Sequence, residues 1–363
     1  MAHLHGSLLY NAEVKNWDVI IVGGGIIGLS LSIALRKRGA RVLVVERGEP
    51  GREASHAAAG MLSDCALETP AALQPLARAS AQMYPEFVHE LQDESGMNVD
   101  LRDQGTLLFV SSERVRGLDA EEISAARLAE FEPALAKATN PAFYLKERSV
   151  DPRALTAAAL KAAKHREVDI SSGTAVTGLL LSDSRVAGVT TERTTYHAPI
   201  VVNCAGAWAG QISPHQFPTR PVKGQMLCVV GGPALTHVLR SPEVYLVPRS
   251  DERVLIGATV EEAGYDKRTD ADTIQRMHRT AITLVPALAR ARVLESWAGL
   301  RPGTPDDLPI LGATSTSGYF VAAGHFRDGI LLSPVTAHVM AQVVTGVKPE
   351  LDLTPFSPAR FEN

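Results

Sequence analysis

The stretch "DVIIVGGGIIGLSLSIALRKRGARVLVVER" at residues 18–47 decides the fold. "DVIIV" is a short run of mostly β-branched residues, the pattern of a strand buried on both faces. A helix is expected from about Ile26 to Arg38. Arg36, Lys37 and Arg38 would occupy its last turn, at the negative end of the dipole, and Gly39 suits the position just past it. "RVLVVER" reads as a second buried strand, and strand, helix, strand within about thirty residues is a βαβ unit. The 17 residues of "VIIVGGGIIGLSLSIAL" are marginal for a membrane span, and three consecutive glycines interrupt them. Strand, tight turn and helix is the better reading.

Gly23, Gly25 and Gly28 form G-x-G-x-x-G between that strand and that helix. The first glycine permits the turn, the second lets backbone approach a pyrophosphate, and the third lets helix and strand pack closely. The phosphates would sit over the helix N-terminus. Glu46 ends the next strand, at the spacing where an acid accepts hydrogen bonds from a ribose hydroxyl. Its charge disfavours a 2′-phosphate, so NADP is set aside. On these residues NAD and FAD both stay open.

The 363 residues suffice for about two domains. Net charge is −4, without a basic run, which gives no electrostatic reason to expect nucleic acid or anionic membrane as partner. Cys65, Cys204 and Cys228 are odd in number and far apart, against a disulfide framework or a zinc site and in keeping with a reducing compartment. "MAHLHGSLLYNAEVKNW" lacks the basic start and apolar core of a signal peptide, so a cytoplasmic location is expected.

Further along, "PLARASAQMYPEFVHELQDESG" reads as a helix with Leu76, Met83, Phe87 and Leu91 on one face. "DLRDQGTLLFVSS" has strand character. Asp151-Pro152 is an N-cap followed by proline at the first helical position, opening a helix to about His165. "IVVNCAGAWAG" is a buried strand ending in a glycine turn. Residues 219–262 read as short antiparallel strands divided by Gly, Pro and Ser-Asp turns, and "DADTIQRMHRTAITLVPAL" as an amphipathic helix. A last helix is expected from about Ile330 to Val344. With no repeat and no long linker, two domains would share the chain by passing back and forth.

"GREASHAAAGML" (51–62), "VKGQML" (222–227), "YLVPR" (245–249), "IGAT" (256–259), "WAGLRPGTPDDLPILG" (297–312) and "AAGHFRDGILLSPVTA" (322–337) occur in one order. Together they resemble the D-amino acid oxidase superfamily of FAD-dependent amine oxidoreductases, and within it the bacterial glycine oxidases of the thiamine pathway. The resemblance spans nearly the whole chain after residue 17. It implies FAD as the cofactor and an α/β fold, a Rossmann-like FAD-binding domain interleaved with an antiparallel-sheet α+β substrate domain. The first is expected at 17–82, 148–215 and 298–363, the second at 83–147 and 216–297. It further implies hydride transfer from a small amine to flavin N5, an imine that hydrolyses, dioxygen as acceptor with hydrogen peroxide as product, and a homo-oligomer.

By this resemblance Arg301 clamps the substrate carboxylate, since a guanidinium offers a flat fork of parallel hydrogen bonds. Tyr245 donates its hydroxyl to the same group, and Arg327 is a second active-site arginine. The rival reading makes Arg301 a buried ion pair with Glu295, Asp306 or Asp307, and Tyr245 a packing residue. Around the cofactor the resemblance places Gly23, Gly25, Ile27, Gly28, Glu46, Arg47, Ala58, Ala59, Gly60, Met61, Val176, Gly206, Arg301, His325, Arg327, Gly329, Ile330 and Leu331. Backbone N–H groups at Gly329, Ile330 and Leu331, at the start of the last helix, would stabilise negative charge on the flavin. No metal is expected.

His56 departs from the family pattern and raises covalent flavin attachment as a minor alternative to packing. Glu243, two residues before Tyr245, either faces the pocket, where it would disfavour acidic substrates, or is a solvated strand end. Besides the oxidase of glycine, sarcosine and small D-amino acids, two functions stay open: a flavin dehydrogenase of a 2-hydroxy acid or larger amine, and a non-catalytic flavoprotein.

Overall fold

The computed structural model describes residues 16–64, 67, 69–136 and 141–361. Most of the N-terminal segment and Cys65 lie outside the described residues. Val19–Val22 and Val42–Glu46 pair in parallel on either side of the helix Ile26–Lys37, as the opening stretch requires. Every residue of both strands is buried. They form the centre of a six-stranded sheet in the spatial order 310–313, 319–323, 200–203, 19–22, 42–46, 169–172. All neighbours are parallel except the edge strand Ile310–Ala313, which is antiparallel to Tyr319–Ala323.

Close packing at the first turn fixes this unit. A Cβ on Gly28 would collide with the carbonyl oxygen of Gly23, and Gly23 itself sits at φ +109° with its Cα against the Cys204 carbonyl. Side chains are excluded at both positions for steric reasons alone. Asp151 caps the helix Pro152–His165, its carboxylate accepting from the N–H groups of Arg153 and Ala154.

A second sheet has eight strands in the order 292–303, 220–230, 254–257, 245–248, 238–240, 106–109, 142–145, 120–123. It is antiparallel apart from one parallel pair, Val238–Arg240 against Thr106–Phe109. That pair joins segments more than a hundred residues apart, so no local turn signal announces it.

The helix Gln74–Ser95 and the strand Arg292–Gly303 run unbroken through positions 82/83 and 297/298. Two expectations need correcting. The buried stripe of that helix runs through Leu76, Ser80, Tyr84, Val88 and Leu91, with Met83 and Phe87 half-buried beside it. The reason is polar: Ser80 Oγ donates to the Leu331 carbonyl at 2.6 Å and Tyr84 Oη to the Ile330 carbonyl at 2.5 Å, which rotates the helix to bury both hydroxyls. Finally, the last helix is Ser333–Val344, so Gly329, Ile330 and Leu331 lie in the turn before it. Among the described residues no helix is long and apolar enough to cross a membrane.

Gly28→Ala forces the first helix off its strand. We expect a loss of about 3 kcal/mol or more in urea unfolding, because the obstructing atom is backbone and has no rotamer to yield. An unchanged midpoint would show that the helix can shift without cost.

Candidate active site

A cavity of about 830 Å³ runs from the glycine-rich turn to the face of the eight-stranded sheet. Gly23, Gly25, Ile27, Glu46, Arg47, Ala58, Ala59, Gly60, Met61, Val176, Gly206, Tyr245, Arg301, His325, Arg327, Gly329 and Ile330 all line it. Of the residues singled out from sequence, Gly28 and Leu331 do not. Gly28 acts through packing, and Leu331 is buried with its carbonyl turned to Ser80.

At one end, Gly25 caps the first helix with no side chain, and no acid occupies the first turn. Ser55 Oγ accepts from the Ile26 N–H at 3.0 Å, and the remaining N–H groups of the first turn keep the positive end of the helix available to an anion. Glu46 is buried and accepts from the N–H groups of Gly24 (2.7 Å, Oε2) and Gly48 (2.8 Å, Oε1). Both bonds fix its carboxylate at the end of its strand. Arg47 lies over the Trp208 ring, 3.4 Å from the centroid, and pairs with Glu53 at 2.9 Å. Trp208 was not legible as a site residue; it belongs to the 3-10 turn Gly206–Gln211 that follows the strand Ile200–Asn203.

Residues 53–61 form the middle wall, with one exception: His56 faces away from the cavity. Burial, together with Arg153 and Arg52, lowers its pKa. Covalent attachment of a cofactor at His56 is therefore dropped. This wall is held from behind by three side chains from other elements. Trp297 Nε1 donates to the Ala57 carbonyl (3.1 Å), Arg249 Nη2 to the Ala59 carbonyl (2.5 Å) and Arg153 Nε to the His56 carbonyl (3.3 Å). With the Ala57 and Ala59 carbonyls turned outward, planar trans peptides aim the N–H groups of Ala58 and Gly60 the opposite way.

The far end is built by register. Arg240 pairs with Tyr245, Tyr245 with Gly257, Gly257 with Met226, and Met226 with Trp297. Cross-strand partners share a face, as do residues two apart, so Arg240, Tyr245, Gly257, Met226, Gly224, Gly299 and Arg301 all lie on one side of the sheet. Two glycines there make room for their neighbours. A Cβ on Gly224 would collide with the Arg301 guanidinium, and one on Gly257 would stand 2.6 Å from Tyr245 Oη. The two polar groups thus fold over the glycines toward each other.

Arg301 Nη1 donates to the carbonyls of Thr259 (3.1 Å) and Lys223 (3.4 Å). Among the described residues it forms no ion pair with a carboxylate. Its three sequence-stated rivals are otherwise placed: Glu295 pairs with Arg153 at 2.6 Å, Asp306 with Arg360 at 3.0 Å, and Asp307 lines the cavity at a positive φ. Burial lowers the Arg301 pKa, opposed by Tyr245, while Arg327 pushes it further down. A half-buried cation held by backbone carbonyls and the Tyr245 hydroxyl, with no acid paired to it among the described residues, leaves most of its charge for whatever enters the cavity. Burial likewise raises the Tyr245 pKa, so its hydroxyl keeps its proton and can donate. Glu243 lines the cavity and is exposed, its carboxylate accepting from Ser241 Oγ at 3.1 Å.

A nucleotide turn opening one end of a long cavity and an arginine-tyrosine pair at the other are the plan of a dinucleotide-dependent oxidoreductase. The chain belongs to the FAD-dependent oxidoreductase (DAO) family, whose pattern matches residues 18–343, and its cofactor is FAD. It is similar to the glycine oxidase of Geobacillus kaustophilus, 35% identical over 366 residues, covering 95% of this chain and 97% of that one. The crystal structure of that enzyme superposes with a TM-score of 0.90 at 34% identity, covering 96% and 100% of the two chains. The bifunctional protein ThiO/ThiG of Trichormus variabilis is 35% identical over 95% of this chain, which spans 55% of that protein's length. The hydrogen cyanide synthase subunit HcnC of Pseudomonas aeruginosa is 32% identical, covering 96% of this chain and 97% of the subunit. The chain is thus an FAD-dependent amine oxidoreductase.

His325 is buried, with Nε2 3.1 Å from Thr336 Oγ1, and burial drives its pKa down to about 3. It folds neutral. The unfolded chain binds a proton near pH 6.5 that the native state refuses, so stability is full above that pH and falls as pH drops toward 3. Between pH 7 and pH 5 this residue should cost about 2 kcal/mol. We expect urea unfolding in excess FAD to show that loss in the wild type and not in His325→Gln. Equal pH slopes in the two would mean that His325 protonates in place.

Proposed function

We propose that the chain oxidises glycine and other small amines bearing a carboxylate, such as sarcosine and small D-amino acids. The observation that carries this reading is the half-buried Arg301 fork, lining the cavity without a carboxylate partner among the described residues. FAD supplies the two-electron oxidant at the C–N bond. The residues of this chain hold the substrate for that step. Arg301 grips the carboxylate, Tyr245 donates to it, and both are aimed by the rigid sheet beneath them, so a substrate of few atoms is fixed along its whole length. Arg327, also on the cavity lining, adds a second cation near Arg301 and Tyr245. The turn at Gly329 and Ile330 lines the cavity with backbone ahead of the last helix, where its N–H dipoles favour negative charge. For glycine, water and dioxygen complete the balance to glyoxylate, ammonia and hydrogen peroxide. Similarity to the ThiO/ThiG protein supports a role in thiamine thiazole synthesis, and the resemblance supports a cytoplasmic homo-oligomer.

Two measurements test this. Arg301→Ala should lower kcat/KM for glycine by about 3 kcal/mol, roughly a hundredfold, chiefly through KM, and Tyr245→Phe by about 1 kcal/mol. Wild-type kinetics in Arg301→Ala would remove the fork from the site. Peroxide released per glycine consumed decides the acceptor: one to one for an oxidase, near zero with turnover restored by artificial acceptors for a dehydrogenase.

A further inference from the structure

The wall at residues 56–60 has a second side. The large cavity lies along one surface of it and a small void of about 10 Å³ along the other, with Ala58 lining both. Around the small void stand Arg153, Arg249, Arg253, Asp151 and Glu295, none of which lines the large cavity. The strand that carries Tyr245 places Arg249 there. Tyr245 and Val247 share a face of the sheet, and Arg249, two residues further, extends that row past the strand end. Ala59 and Met61 pack on the same face, in one cluster with Val247, Met226 and Tyr245. At its other end the wall reaches the nucleotide turn, where Ser55 Oγ meets the Ile26 N–H. A cofactor running from that turn to the sheet therefore has this wall beside it.

Arg249 is only 4% exposed. Nη2 donates to the Ala59 carbonyl at 2.5 Å, and Nη1 is buried without a hydrogen-bond partner. Among the described residues no carboxylate forms an ion pair with it. The acids nearby are engaged elsewhere. Asp151 pairs with Arg253 (3.1 Å) and caps its helix, Glu295 pairs with Arg153 (2.6 Å), and Asp100 accepts from Ser250 Oγ (2.7 Å). Burial pushes the Arg249 pKa down to about 10, opposed by Asp151 and Asp100, so the side chain keeps its charge at neutral pH. Behind the wall there are thus two ion pairs and one cation without an acid of its own. With little water in between, such a charge acts across several ångströms.

We propose that Arg249 acts through this wall on the bound FAD, raising its reduction potential and so favouring electron transfer from the amine. Hydride from the substrate carbon carries two electrons and one proton to an uncharged ring and leaves one negative charge there, while the amine becomes an iminium ion. A fixed cation stabilises the ring after that transfer and not before it, and this difference is what a higher potential expresses. The effect needs the charge of Arg249, whereas holding the Ala59 carbonyl needs only a donor. It also stands apart from the assignment of Arg301, since it requires FAD but no particular substrate.

The test is the midpoint potential of the FAD-loaded enzyme, equilibrated with a reference dye, in wild type, Arg249→Gln and Arg249→Lys. Glutamine keeps a donor for the Ala59 carbonyl without the charge, and lysine keeps the charge. We expect Arg249→Gln to cut the reduced-to-oxidised ratio at a fixed poise about tenfold, about 30 mV for a two-electron couple, and Arg249→Lys to stay within about threefold of wild type. Glu295→Gln supplies a change of opposite sign at a half-buried position and serves if the Arg249 variants fold poorly. It strips Arg153 of its counter-charge beside the same void and should raise the ratio about threefold. Equal falls in Arg249→Gln and Arg249→Lys would trace the effect to the shape of the wall. A wild-type potential in Arg249→Gln or in Glu295→Gln would leave Arg249 as a prop for Ala59. Either result overturns the proposal.

Discussion

The half-buried guanidinium of Arg301 is the constraint around which the sheet end of the cavity is arranged. A charge removed from water must be compensated, and here backbone carbonyls of Lys223 and Thr259 do so in place of an acid. A carboxylate partner would have satisfied the arginine and closed it to a ligand. Carbonyls hold it with partial charges and leave it able to bind an anion. This solution requires the strand Arg220–Val230 to pass directly beneath the side chain, which in turn requires Gly224. Tyr245 imposes the same demand on Gly257.

The cofactor end follows a different logic, in which backbone is the working surface. Gly23, Gly25 and Gly60 lie on the cavity because a side chain at these positions would fill it or clash, and Gly28 because the helix must sit on its strand. Between the two ends the 56–60 wall is held by Trp297, Arg249 and Arg153, which come from elements far away in sequence. Arg249 pays for its own burial through nearby Asp151, the same residue that caps the helix Pro152–His165. The sheet that carries Arg301 and Tyr245 therefore also positions the 56–60 wall of the cavity, through Trp297 and Arg249.

Much of this was readable in the chain. The glycine spacing, the continuous β-branched strands and Glu46 prescribe the nucleotide unit, because each is a local steric or electrostatic requirement. Asp151-Pro152 prescribes its helix for the same reason. The turn before Ser333 misled: Pro334 would be fifth in a helix begun at Ile330, where an N–H is due to the Ile330 carbonyl, but is second in one begun at Ser333, and the Ile330 and Leu331 carbonyls accept instead from Tyr84 and Ser80. Trp208, Arg240 and the three carbonyl-binding side chains carried no local signal, each being an ordinary residue for its element.

The sequence by itself determined the α/β unit and its nucleotide-binding turn, and the family resemblance it carries pointed to FAD and to Arg301 and Tyr245 as candidate site residues. Only the tertiary structure decided that His56 turns away, that Arg301 has backbone and not acid for company, and that Arg240 stands across from Tyr245. The physical reason is range. Turns, caps and buried strands are fixed by sterics between near neighbours, whereas a side chain's partners across a sheet are set by register, which the pairing of distant strands chooses.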